Sequence, residues 1–237
     1  MDTDKTAGGT IIEKYLTPIA VVVGALIIAG AFAFGNSGTT ANPQQGQQAV
    51  KVNIKDVKTE GSPFIGDANA PVTIAIWFDY QCPYCKKFEE TVTNKLIENY
   101  VKTGKLKIVF KDFQFLGEDS MVDAEFARAM WEAYPDHYYE WYMAMFAAQD
   151  DEGDKGFGDL ESVKTLTAKI PGVDVAKVVK LMTDKKSEYD TAITADRTEG
   201  QALGIKGTPN VIIGTSLLSG AQPYESVAPL IDAQLKK

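Results

Sequence analysis

Cys82-Pro83-Tyr84-Cys85 holds the only two cysteines in a chain of 237 residues, and it is the one clearly reactive motif. Two thiols at that spacing can close a small disulfide ring and reopen it, which is the chemistry of thiol–disulfide exchange. The flanking residues predict where the reactivity falls. A β-prone run ends just before Cys82 and a helical pattern follows it, with Pro83 in the first turn. The dipole and free N–H groups of a helix start stabilise a thiolate, so Cys82 is the expected nucleophile. Cys85, one turn further in, is expected to be more buried and to act as the resolving thiol that releases a mixed disulfide. Lowering a thiol pKa from about 8.5 toward 4 corresponds to roughly 6 kcal/mol in favour of the reduced form, which makes the disulfide a stronger oxidant.

The same pair has two plainer uses. Half of a structural zinc site would need further ligands, but no third cysteine exists and His137 is the only histidine. A structural staple is also poor, because closing so short a loop removes little chain entropy. Redox chemistry is the reading that the residues favour.

The elements that must hold this motif can be read around it. VTIAIWF, residues 72–78, follows Ala70-Pro71 and has the near-continuous hydrophobicity of a strand buried on both faces. After the motif, Phe88, Val92, Leu96, Ile97 and Tyr100 recur at helical spacing until Gly104. Residues 107–110 form a second strand, and strand, helix, strand implies a parallel crossover. From about Ser120 to Leu203 the pattern is helical, with breaks at residues 150–159 and at Pro171-Gly172. Residues 210–213 and 216–219 then predict a hairpin turning at Gly214-Thr215, and residues 224–235 a closing helix.

The N-terminus reads as a membrane address. Residues 15–34, YLTPIAVVVGALIIAGAFAF, carry no charge and are long enough to cross a bilayer. Lys5 and Lys14 precede them, and no Lys or Arg follows until Lys51, which places residues 1–14 in the cytoplasm and the rest outside. The alternative is a cleaved signal peptide, for which Ala29-Gly30-Ala31 and Ala31-Phe32-Ala33 offer small residues. Residues 35–49 are uncharged and rich in Gly, Gln and Asn, the composition of a flexible tether. The folded unit is expected over residues 50–237. A net charge of −8, without any Lys/Arg run longer than a pair, argues against a nucleic-acid binder.

With these pieces in order, the sequence resembles the exported DsbA-like thiol:disulfide oxidoreductases, which are built on a thioredoxin fold with a helical insertion. The resemblance rests on FDYQCPYC after a strand, KDFQFLG with helical sequence behind it, LGIKGTPNVIIG, and the terminal SGAQPYE, spanning about residue 65 to the C-terminus. It implies that Thr208-Pro209 is the pair opposite the cysteines in that family, with a cis bond and the Thr208 backbone presented to a substrate peptide. It also implies reoxidation by a quinone-linked membrane protein. Two departures stand out. Tyr84 occupies the position of a thiolate-stabilising His in the family's best-known oxidase. The buried acid found in many thioredoxin-like proteins would fall on Ile76, leaving Asp79 either as a proton shuttle for Cys85 or as a cap on the following turn.

Two further patterns carry less. Asp150, Glu152, Asp154 and Glu161 match positions of a calcium-loop template, but Lys155 stands where the tight turn needs Gly, and a solvated acidic loop is favoured. The aromatic and Met-rich stretch at residues 130–147 reads as core, with a share in a client groove as the alternative.

The expectation is an α/β protein: a thioredoxin-like fold with a helical insertion at about residues 118–203, behind a single-pass membrane helix, working on the extracytoplasmic side. It would be an oxidase that donates the Cys82–Cys85 disulfide to cysteine-containing exported proteins, without metal or organic cofactor, and is reoxidised by a membrane redox partner. A disulfide isomerase or reductase of the same fold, and a non-catalytic peptide-binding module, are the rivals.

Overall fold

The computed structural model describes residues 51–150 and 156–236. The expected membrane span, the tether and the centre of the acidic loop lie outside them. Among the described residues no helix is long and apolar enough to cross a membrane.

A five-stranded sheet organises the domain. Its strands are β1 (Phe64–Ile65), β2 (Val72–Phe78), β3 (Leu106–Asp112), β4 (Asn210–Ile213) and β5 (Ser216–Ser219), in the order β1-β3-β2-β4-β5. Only β2 and β3 are parallel, paired from Val72 opposite Leu106 to Phe78 opposite Asp112. They are joined by the long helix α1, residues 83–101. The helical pattern, the hairpin at Gly214-Thr215 and the final helix α7 (Tyr224–Leu235) fall where the sequence predicted them. The two-residue edge strand β1 was not legible, because so short a segment carries no periodicity.

Strand alternation divides the core between the two faces of the sheet. Ile74, Ile76, Phe78, Ile108, Phe110, Val211 and Ile213 point to one face, together with α1, α7 and the helical insertion. Ala75, Trp77, Val109 and Ile212 point to the other and pack with Val52, Val57, Phe113 and Ile205. This is why VTIAIWF shows no polar face.

In α1, the buried residues Phe88, Val92, Leu96 and Tyr100 recur every fourth position. A regular helix of 3.6 residues per turn would rotate such a stripe by about 40° per step. Two wider π-helical segments, Glu89–Thr93 and Ile97–Val101, interrupt the α geometry and keep the stripe on the core.

Between β3 and β4 lie α2 (Glu118–Ala133), α3 (Tyr138–Ala148), α4 (Leu160–Thr167), α5 (Val175–Asp184) and α6 (Lys186–Ala202). Tyr138, Trp141, Tyr142, Met145 and Phe146 of α3 are buried, so the aromatic stretch is mostly core. α6 crosses the opposite face closely: a Cβ on Gly200 would lie 2.9 Å from the Trp77 ring. A buried charge network ties this face to the sheet. Lys111 pairs with Asp196 and with Glu199 (3.0 Å), while Arg128 bridges Asp112 (2.6 Å) and Asp196.

Candidate active site

Cys82 is the N-cap of α1, with extended backbone (φ −83°, ψ 117°), and Pro83 opens the helix. Proline suits that place because its fixed φ is helical and its missing N–H would have no intrahelical partner there. The Cys82 carbonyl accepts the first helical bonds, from Cys85 N–H (3.0 Å) and Lys86 N–H (3.2 Å). Its own N–H donates to the Asp79 carbonyl at 3.1 Å. Both cysteines are free thiols; Cys82 is 4% exposed and Cys85 fully buried.

The two thiols are driven in opposite directions. The Cys85 thiol, hydrogen-bonded to the Cys82 sulfur, is the largest influence on Cys82. With help from Thr208 and the backbone N–H groups of Cys85 and Tyr84, and against the effect of burial, it lowers the Cys82 pKa to about 6. Burial pushes the Cys85 thiol well above the ordinary range, and the neighbouring Cys82 sulfur adds to this. One sulfur is therefore suited to be a thiolate near neutrality, and the other to keep its proton.

Across from the cysteines, the Thr208–Pro209 peptide bond is cis. The Thr208 carbonyl accepts from Cys82 Sγ at 3.5 Å, so the two segments meet although 126 residues separate them in sequence. Tyr84 points outward, 63% exposed. Asp79 is fully buried and its carboxylate receives three bonds, from Gln81 N–H (2.9 Å), Phe115 N–H (3.0 Å) and the Ser120 hydroxyl (2.8 Å). Burial raises its pKa against the pull of those donors. These bonds make Asp79 a cap on the turn, one of the two roles expected for it.

The helical insertion clamps the turn that delivers Cys82, by polar contacts that the sequence did not announce. Gln81 Nε2 donates to Asp123 (2.7 Å) and to the Phe157 carbonyl (3.2 Å). Gln149, at the end of α3, donates to the Tyr80 carbonyl and accepts Lys86 Nζ (2.7 Å). Tyr80 and Tyr138 share a buried hydroxyl–hydroxyl bond of 3.1 Å. The partners lie 42 to 69 residues away from the turn in these bonds to Asp123, Tyr138 and Gln149, and no local pattern marks them. Gly158 sits so close to Gln81 that a Cβ there would collide with the amide.

The calcium template falls partly on residues 151–155, outside the described residues. Among the described residues no cluster of three or more His, Cys, Asp or Glu could hold a metal ion.

A thioredoxin family model matches residues 58–233, over half of the chain. The chain belongs to the thioredoxin family. Within it, the protein is a DsbA-like thiol:disulfide oxidoreductase, on the strength of its relatives. It is 28% identical to the probable disulfide bond formation protein D of Bacillus anthracis over 193 residues, covering 78% of this chain and 87% of the relative. It is 25% identical to disulfide bond formation protein D of Bacillus subtilis, covering 81% and 84%. Among solved structures, oxidised BdbD from B. subtilis superposes with a TM-score of 0.71 at 22% identity, covering 80% of this chain and 99% of that one. The thiol-disulfide exchange protein alpha-DsbA2 from Wolbachia pipientis gives 0.63 at 26% identity, covering 73% and 86%. In this thioredoxin-family oxidoreductase the fold and helical insertion expected from the sequence are both present.

Proposed function

We propose that the protein is an oxidase that donates a Cys82–Cys85 disulfide to cysteine-containing exported proteins. The observation that carries this reading is the opposed tuning of the two sulfurs, with Cys82 lowered to about 6 and Cys85 raised by burial. A client thiolate attacks Cys82 Sγ, the Cys82–Cys85 bond breaks, and Cys85 leaves and takes up a proton, which its buried site favours. A second client thiolate attacks the client sulfur of the mixed disulfide, and Cys82 leaves as the thiolate that its surroundings stabilise. Two electrons pass from the client to the cysteine pair at each turnover. Thr208 and Pro209 offer backbone beside the sulfurs for the client strand, with Pro83, Tyr84 and Asp79 shaping the turn.

In this reading residues 15–34 anchor the chain in the cell membrane, the catalytic domain works on the extracytoplasmic side, and a membrane redox partner restores the disulfide. The uncharged span, the two lysines ahead of it, and relatives bearing the name disulfide bond formation protein support it. No organic cofactor or metal is required, since both electrons reside on sulfur.

Equilibration of the protein with glutathione buffers tests the direction. A reduction potential of roughly −120 to −160 mV is expected. A value near about −250 mV would make it a reductase, and a pair that never equilibrates would leave only a binding module.

A further inference from the structure

Glu89 is a carboxylic acid in the core of the active-site helix, and the exchange chemistry above does not use it. It lies one turn beyond Cys85, its N–H donating to the Cys85 carbonyl. Residues four apart share a helix face, and both side chains point into the core, Cys85 at 0% and Glu89 at 1% exposure. Among the described residues no cation bears on it. The polar groups that bear on the carboxyl are the hydroxyls of Tyr142, from α3, and Thr93, from its own helix, and the Tyr138 and Tyr139 phenols of α3 also feel its charge. Lys86, a turn back, is committed to the Gln149 carbonyl. Glu89 Oε2, Thr93 Oγ1 and Tyr142 OH are buried, and none of them makes a hydrogen bond of good geometry, so the two hydroxyls support the carboxyl only weakly. Burial penalises the charged form and raises its pKa to about 7, against the pull of the Tyr142 and Thr93 hydroxyls.

We propose that Glu89 carries a redox-linked proton, held more firmly when the cysteine pair is reduced than when it is oxidised, and so sets how the reduction potential varies with pH. The coupling is electrostatic. Reduction places a negative charge on Cys82, and oxidation removes it. Cys82 precedes Glu89 by seven residues, about 10 Å along a helix. At that distance and an effective dielectric constant of about 20, a thiolate changes the proton affinity of Glu89 about tenfold.

The step balances without any further reactant. A client dithiol gives two electrons, its S–S bond forms and the Cys82–Cys85 bond breaks. Of the two protons released by the client, Cys85 keeps one, and Glu89 takes a fraction of the other near neutral pH, with the remainder going to solvent. Glu89 is a tuning residue rather than a catalytic one, since it acts through the field at Cys82. The proposal rests on a thiolate at Cys82.

The test is the glutathione equilibrium of the full-length protein and of Glu89→Gln, followed from about pH 5.5 to 8.5. Below about pH 6 the two equilibrium constants should coincide, because Glu89 is neutral in both redox states. Above about pH 8, ionised Glu89 opposes the thiolate, so the unsubstituted protein should be about tenfold less oxidising than the variant, or about 30 mV. A ratio that does not change with pH would overturn the proposal while leaving the oxidoreductase reading intact. A Cys82–Cys85 pair that never equilibrates would sink both. Infrared difference spectra of the unsubstituted protein give a second measurement that needs no variant to fold. At pH 7 a protonated-carboxyl band should be stronger in the reduced than in the oxidised form, and equal bands would overturn the proposal.

Discussion

Replacing Cys85 by alanine removes the donor that most lowers the Cys82 pKa, and the structure sets the size of the effect. Cys82 moves from an ordinary 9.0 to about 6, and the Cys85 thiol is the first of the groups responsible. Three pH units correspond to about 4 kcal/mol of preference for the reduced state, or about 90 mV of oxidising strength. A hydrogen bond to a charged group contributes about 1.5–3 kcal/mol. Its loss should move the midpoint of thiolate formation from about pH 6 into the range of about pH 7 to 8. Cys85→Ser keeps a donor at the same place and should stay much closer to the parent. The assay is the rate of iodoacetamide alkylation of Cys82 against pH, with thiolate absorbance near 240 nm as a second readout. At pH 6 the alanine variant should react about ten- to a hundredfold more slowly than the fully ionised limit, whereas the reduced parent should stand near half of it. If both variants titrate at about pH 6, the backbone N–H groups of the helix start and Thr208 set the thiolate, and the assignment of the leading role to Cys85 is wrong.

Three other outcomes follow from the packing. Glu89→Gln should change the pH dependence of stability: with its pKa raised to about 7 from an ordinary 4.5, the stability of a neutral Glu89 is fully present below about pH 4.5 and lost as pH rises through 7, so the variant should gain up to about 3 kcal/mol over the parent at pH 8 in denaturant melts, and equal stability there would contradict the burial of the charge. Lys111→Met leaves the buried carboxylates of Asp196 and Glu199 short of a partner and should destabilise by about 3–5 kcal/mol in urea titration, with the Cys82 titration still near pH 6 because Lys111 lies on the opposite face of the sheet. Gly158→Ala puts a methyl group into the Gln81 amide at a backbone φ of +142°, and should lower stability by about 1–3 kcal/mol; an unchanged melting temperature would show that the clamp on the active-site turn is loose.

Much of the chemistry was legible because its signals are local. The CPYC motif announced a strand-to-helix junction with its first cysteine at the helix start, since Pro83 and the change of hydrophobic period lie within one turn of it. The hairpin at Gly214-Thr215 and the helix Tyr224–Leu235 were legible for the same reason, their turn residues and periodicities lying next to one another in the chain. Pairing Thr208-Pro209 with cysteines 126 residues away needed the family resemblance, because no spacing rule reaches that far.

What the sequence by itself determined is therefore where the two thiols stand and which elements carry them. The tertiary structure decided what surrounds those atoms. Glu89 reads in sequence as one more acid in a run of KKFEE, and only the packing of α3 on α1 turns it into a buried, uncompensated carboxyl. Asp79 reads in sequence as a lone acid at a strand end, and only the fold brings Phe115 and Ser120 to its oxygens. Gln81, Asp123 and Gln149 carry no motif at all, yet they fix the turn that presents Cys82. Burial and long-range hydrogen bonding depend on which surfaces meet when the chain closes, and a thiol or carboxyl pKa responds to those surfaces more than to its neighbours in sequence.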